Sequence, residues 1–227
     1  MTRQRHDEPA GSPTDQPAWK QRAVERSIRT AKLRAEERVQ RFLDAAQALI
    51  TEKGTTEFTV QEVVERSRQS LRSFYLQFDG KHELLLALFE EALTRTAEQI
   101  RAAATGQADP LDRLVVAMRL LFELCRPDPS VRRPLFTDFA PRLLVTHPAQ
   151  VKAAHVALLA LFTELMIDAD QAGRLRAGTN PRRMAALAMQ TIMFTAQSSG
   201  GNDDATVRPI TAEELSDFCT VGIAESG

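Results

Sequence analysis

The sequence predicts an all-α fold, and three observations carry that prediction. Apolar residues recur at three- and four-residue spacing, as in Leu84, Leu85, Leu88, Phe89, Ala92 and Leu93. Helix starts are punctuated by T-x-x-E boxes at Thr59 with Glu62 and Thr211 with Glu214, and by proline after a cap at Asp109-Pro110 and Asn180-Pro181. No segment alternates apolar and polar residues with period two for long enough to make a strand.

Taken in order, residues 1–18 are polar, contain Pro and Gly, and read as a disordered tail without the apolar centre of a secretion signal. Residues 19–37 are basic and free of Gly and Pro, with Val24, Ile28, Ala31 and Ala35 at helical spacing. This stretch reads as a helical extension, either an arm for phosphate contacts or a solvated charged helix. A helix from Val39 to Lys53 follows, with Phe42, Ala46, Leu49 and Ile50 on one face and Gly54 as its stop. Thr59 opens a second helix with Val60, Val63 and Val64 as its buried stripe, and Ser70 is placed to cap a short third helix carrying Leu71, Phe74 and Tyr75. Asp79-Gly80 breaks the chain, and a long helix starts at Lys81. Beyond Gly106 the punctuation predicts five more helices. They run from Asp109-Pro110 to Cys125, Ser130 to Val145, His147-Pro148 to Ala172, Asn180-Pro181 to Gln197, and Thr211 to Ile223.

Net charge is only −1, but its distribution is uneven. From Lys20 to Lys81 there are 13 Lys and Arg against 9 Asp and Glu, whereas from His82 to Gly227 there are 14 against 18. The basic half coincides with the short-helix pair. Cys125 and Cys219 lie far apart within apolar patterns, which suggests buried thiols in a reducing interior. The most apolar stretch, Ala153 to Ile167, is too short for a bilayer that needs about 20 residues, so no membrane partner and a cytoplasmic location are expected. Phosphate loops, nucleophile elbows and metal-ligand spacings are missing, so neither an enzyme, a cofactor nor a metal is expected.

Two short helices joined by the polar turn Arg68-Gln69 form a helix-turn-helix pattern, and the second offers an outward run of hydrogen-bond donors suited to a major groove. Arg38 to Leu88 resembles the DNA-binding domain of the TetR family of transcriptional regulators. The resemblance rests on Ala45 and Ala46, Gly54, Thr59-Val60, Phe74-Tyr75, Phe78, Lys81 and Leu84-Leu85. The family's usual turn is Ala-Gly-Val-Ser, whereas this chain has Ser67-Arg68-Gln69-Ser70, so an arginine is expected where glycine takes a left-handed conformation freely.

The implied architecture is a helix-turn-helix DNA-binding domain over residues 38–81 and a C-terminal effector-binding and dimerisation domain over 82–227. The expected reading face is Ser70, Leu71, Arg72 and Ser73, with Arg72 the candidate for a bidentate guanine contact and Gln69, Arg68 and Gln77 as second choices. Leu71 has a rival reading as a packing residue. Tyr75 and Lys81 match positions that the resemblance implies grip phosphates, and the helix start at Thr59 can do the same through its hydroxyl and amides.

The resemblance also implies a homodimer built on the last two helices, for which the residues offer Met184, Leu187, Ala188, Thr191, Ile192, Thr195, Leu215 and Phe218. Met118, Phe122, Phe136, Phe139, Phe162, Met166, Met189 and Phe194 are candidate pocket residues for a small lipophilic effector, or alternatively a dry core. The expected function is a repressor that binds a palindromic double-stranded operator and is released by that effector. The alternative is a helical interaction or ligand-binding module with weak or lost specific DNA binding.

Overall fold

The structure, a computed structural model, describes residues 17–126, 133–198 and 208–224. The expected tail (residues 1–18) falls almost wholly, and the expected helix start at Ser130 entirely, outside these residues. The described residues form helices α1 (Ala18–Lys53), α2 (Val60–Ser67), α3 (Leu71–Tyr75), α4 (Lys81–Ala104) and α5 (Pro110–Cys125). A π-helical turn, Leu135–Phe139, leads into α6 (Ala140–Thr146). Then come α7 (Pro148–Ala154), α8 (Val156–Gln171), α9 (Pro181–Ser198) and α10 (Ala212–Ile223).

Two features of the helices have physical causes. The basic extension and the first core helix are one helix of 36 residues, because nothing between Ala18 and Lys53 interrupts it before Gly54 takes φ 62° and closes its end. The helix expected from His147-Pro148 to Ala172 is instead two, α7 and α8, bent by 53°. His155 sits at the break, and its Nδ1 lies 2.7 Å from the carbonyl oxygen of Val151, the group that its own backbone amide also takes. A side chain competing for the i−4 carbonyl is a recognised cause of such a bend.

Helices α1 to α3 close over Phe42, Val63, Phe74 and Phe78, with Phe42 edge-on to Phe74 at 5.4 Å. That ring stack fixes the short α3, which is too short to persist alone. Helix α4 begins next to this unit and runs into the C-terminal part, where α5 lies at the centre and packs against α4, α8, α9 and α10. Leu114, Met118, Leu121 and Phe122 of α5 are fully buried there. Arg119 ties α5 to α10 by donating from Nε to the Ser216 hydroxyl at 2.9 Å. No single helix among the described residues is long and apolar enough to cross a membrane.

Candidate nucleic-acid interface and the cleft above it

The interface is built by three backbone devices. At the first, the Thr59 hydroxyl accepts the Glu62 amide at 3.2 Å while the Glu62 carboxylate accepts the Thr59 amide at 2.8 Å, completing the capping box. Lys53 donates to the same carboxylate at 2.6 Å. Together these hold the Glu62 carboxyl at about 2, the Lys53 hydrogen bond being the largest cause and the Thr59 amide and hydroxyl the next. The Thr59 hydroxyl is therefore already engaged. The helical amides that a capping box leaves without partners are those of Val60 and Gln61, so phosphate contact at this end falls to them.

The second device is the turn. Arg68 adopts φ 54°, ψ 36° and is the one non-glycine residue with positive φ among the described residues. Its amide donates back to Glu65, and the Gln69 amide to Val64, closing α2 in the way that a glycine at this position ordinarily does. The third is the Ser70 cap, whose hydroxyl oxygen accepts the Ser73 amide at 3.1 Å and sets the start of α3.

These devices leave an exposed face containing Arg68, Ser70, Leu71, Arg72 and Tyr75, with Gln69 and Ser73 half-buried beside it. Leu71 is 45% exposed, which favours the face over its rival reading as a packing residue. Arg66 is withdrawn from the face by a two-pronged pair with Glu52, at 2.6 and 2.7 Å. Among the described residues neither Arg68 nor Arg72 has an acid at ion-pair distance, so both guanidinium groups are available to an anion. Lys81, the first residue of α4, is partly spoken for. Its Nζ is 3.6 Å from Glu57 and lies 5.0 Å over the Phe58 ring. Sequence reasoning missed Leu76, 72% exposed just after α3. Its only sequence signal was a leucine two residues before the buried Phe78, on the opposite face.

This helix-turn-helix matches the family described as bacterial regulatory proteins, tetR family, over residues 42–88. Residues 42–88 are thus similar to the DNA-binding region of the TetR family. It is 33% identical over 70 residues to YvdT of Bacillus subtilis, described as an uncharacterized HTH-type transcriptional regulator, a match covering 31% of this chain and 36% of YvdT. The chain spans between about a third and about half the length of the curated relatives it matches.

Two solved structures extend the likeness, in fold alone, to most of the chain. One is FadR of Thermus thermophilus in complex with lauroyl-CoA, at TM-score 0.62 and 22% identity, covering 81% of this chain and 93% of that one. The other is RolR in complex with resorcinol, at TM-score 0.63 and 15% identity, covering 85% and 90%.

The candidate pocket residues divide sharply. Met118, Phe122, Phe162 and Met166 are packed inside the helical core, and Phe139 and Met189 are buried with them. Phe194 is 74% exposed and points away from any pocket, because the inward stripe of α9 is Ala185, Ala188, Met189, Ile192 and Ala196. Only Phe136 of that group lines a cleft. The cleft, of about 830 Å³, opens where α1, α4, α5 and the segment from Arg133 to Phe136 meet. Its walls mix Ile50, Leu93 and Leu158 with Gln47, Arg95 and Arg133. Cys125 also lines it, with its thiol pushed up to about 11 by burial, so it is an unreactive thiol rather than a nucleophile.

The expected dimer face divides as well. Ala188, Ile192 and Leu215 are buried within the protomer, because the inward stripes of α9 and α10 use them. Met184, Thr191 and Thr195 are half-buried. Leu187 and Phe218 are exposed, joined by Phe194 and Val221, which the sequence reading did not assign to this face.

Proposed function

We propose that this protein is a TetR-family transcriptional regulator, a repressor that holds two copies of α3 on a palindromic operator as a homodimer and releases it on binding a small ligand. The observation that carries the reading is the face of α3. Two guanidinium groups without acidic partners among the described residues flank a capped helix end, the arrangement that suits major-groove reading by Arg72 and phosphate contact by Arg68 and Tyr75. Lys81 joins the phosphate contacts by exchanging Glu57 for a phosphate. The reading keeps the protein with its DNA in the cytoplasm and assigns it no catalytic step.

Dimerisation is supported by Leu187 and Phe194, seven residues apart and so on one side of α9, and by Phe218 and Val221 on α10. Together they are a concentration of exposed apolar side chains on the last two helices. We take the junction cleft, rather than the packed core around Met118 and Phe162, as the effector site. Its mixed walls suit a molecule with an apolar body and a polar or anionic end.

The same segment supplies a route to the DNA side. Phe136 of the π-turn lines the cleft, and α6 begins directly after that turn. Phe139 lies 5.6 Å from the His82 ring, and Arg142 lies 4.0 Å from Glu57, the carboxylate that also holds Lys81. A ligand that prefers one position of this segment shifts the first turn of α4, and it acts only through that difference in affinity.

The test is selection of duplexes from a random pool, followed by fluorescence anisotropy. An inverted repeat is expected to emerge. Arg72→Ala is expected to weaken it by about 1–3 kcal/mol and relax one base per half-site, while Lys81→Ala weakens all sequences alike. Unchanged preference and affinity in Arg72→Ala would remove the reading face, and selection of no sequence would favour an interaction module instead. Lauroyl-CoA and resorcinol, held by two proteins of similar fold, are the first probes for release.

A further inference from the structure

We propose that the N-terminal half of α1 is a second DNA-binding surface, a rigid basic rod that lies along the phosphate backbone flanking each half-site. The proposal rests on the regulator reading above and goes beyond its helix-turn-helix. Helix α1 is first held by the rest of the fold at Val39, which packs against the core, and at Phe42, whose ring meets Phe74 of α3 at 5.4 Å. The residues before Arg38 project from it. Of residues 17–37, all but Ala23 and Ala35 are exposed, and among the described residues the polar side-chain contacts there stay within the helix: Thr30 to the Arg26 carbonyl, and Lys32 with Glu36 at 3.7 Å. The free part therefore leaves the domain beside the recognition helix. From Ala18 to Glu37 it extends about 30 Å at 1.5 Å per residue, a little under one turn of B-form duplex.

The charge on the rod decides its partner. From Ala18 to Arg34 there are six Lys and Arg and one acid, Glu25. Lys20, Arg22, Arg26, Arg29 and Arg34 have no ion-pair partner among the described residues; at helical spacing Arg22, Arg26 and Arg29 share the side opposite the apolar residues, and Lys20 and Arg34 lie beside the apolar ones. A narrow apolar line, Val24, Ile28, Ala31 and Ala35, continues the buried stripe of Phe42, and a second copy of the helix is the rival occupant. That line is a poor coiled-coil seam. It lasts about two heptads, half of it is alanine, and its next position is Arg38, so pairing copies would bury little and bring like charges together. Duplex DNA suits the charge, since Arg22, Arg26 and Arg29 present one cationic face to a phosphate chain. The helix is formed in the free protein, so the cations are arrayed before binding and less ordering is needed to use them.

The experiment compares the full chain with a variant carrying Lys20→Gln, Arg22→Gln, Arg26→Gln and Arg29→Gln, glutamine being about as good a helix former as the residues it replaces. Circular dichroism checks that helix content is kept. Binding is measured by anisotropy over a range of salt concentrations. One duplex is the selected site alone, and the other carries flanks of about one helical turn on each side. The wild-type slope of log affinity on log salt is expected to be steeper on the flanked duplex. The variant's slope there should be shallower by up to about 3.6 per subunit, about 0.9 for each phosphate it no longer neutralises, and the variant should match wild type on the trimmed site.

Equal wild-type slopes on the two duplexes would overturn the proposal without any variant, as would a variant that keeps the wild-type slope on the flanked one. Loss of oligomer mass in Val24→Ser with Ile28→Ser, at an unchanged salt slope, would overturn it in favour of pairing between copies. Failure of the regulator reading is distinguishable, because it shows on the trimmed site as absent sequence preference or an inert Arg72→Ala. Absence of binding to every duplex overturns both.

Discussion

Arg68 gives the most direct test of how this chain makes its turn. At φ 54°, ψ 36° a residue with a Cβ is strained by roughly 1–2 kcal/mol, and glycine is not. Replacing it with glycine also frees the unfolded chain, which costs about 0.4–1 kcal/mol. The two effects leave Arg68→Gly more stable by about 0.5–1 kcal/mol. Nothing offsets this, because Arg68 is exposed and has no ion pair among the described residues. Arg68→Ala is the control, since it removes the same side chain and keeps the strain. Thermal and urea unfolding of the three proteins, followed by circular dichroism, should rank glycine above alanine by about 1 kcal/mol. The glycine variant should at the same time bind DNA less tightly, with the salt slope lower by about 0.9 per subunit because one phosphate is no longer neutralised. If alanine proved as stable as glycine, the left-handed turn, and with it the placement of α3, would be wrong.

Two further outcomes are expected. The Glu62 carboxyl is held at about 2, below its ordinary 4.5, so its contribution is full above about 4.5 and is lost as pH falls towards 2. The stability advantage of wild type over Glu62→Gln, followed by melting temperature, should shrink across that window, and a difference independent of pH would refute the pairing with Lys53 and Thr59. Phe194→Glu combined with Phe218→Glu should raise the dimer dissociation constant by at least about 30-fold in sedimentation equilibrium, the factor for losing one strong interface anchor, with helix content retained. An unchanged dimer would move the interface off α9 and α10.

Local chemistry explains what was legible in the sequence. The capping boxes at Thr59 and Thr211, the Asp109 and Asn180 starts and the Gly54 and Gly173 stops each depend on a few adjacent residues, and the structure places helix ends there. The left-handed Arg68 was legible through the resemblance, since it stands where the family's turn carries glycine. The bend at His155 was not, because it depends on a side chain choosing a carbonyl four residues back over solvent, and the spacing of Leu158, Phe162 and Leu165 is indifferent to that choice.

The pocket was the least legible feature, and the reason is geometric. A stripe of Met and Phe states only that a helix face leaves water. Met118, Phe122, Phe162 and Met166 leave water by packing against one another, so the largest apolar side chains fill the space that a ligand would need. A cleft forms instead where packing is interrupted, between the end of α5 and the π-turn, and there the walls are Gln47, Thr51, Arg95 and Arg133 as much as Leu93 and Phe136. Polar residues of that kind read in a sequence as ordinary surface. Their meeting depends on α1 returning beside α4, an approach made across roughly forty residues of chain that no local pattern encodes. The same meeting puts the cleft against α1 itself. A ligand there would touch the helix that carries both Phe42, which packs on α3, and the basic stretch before it, so the effector site and the DNA surface proposed above share one helix.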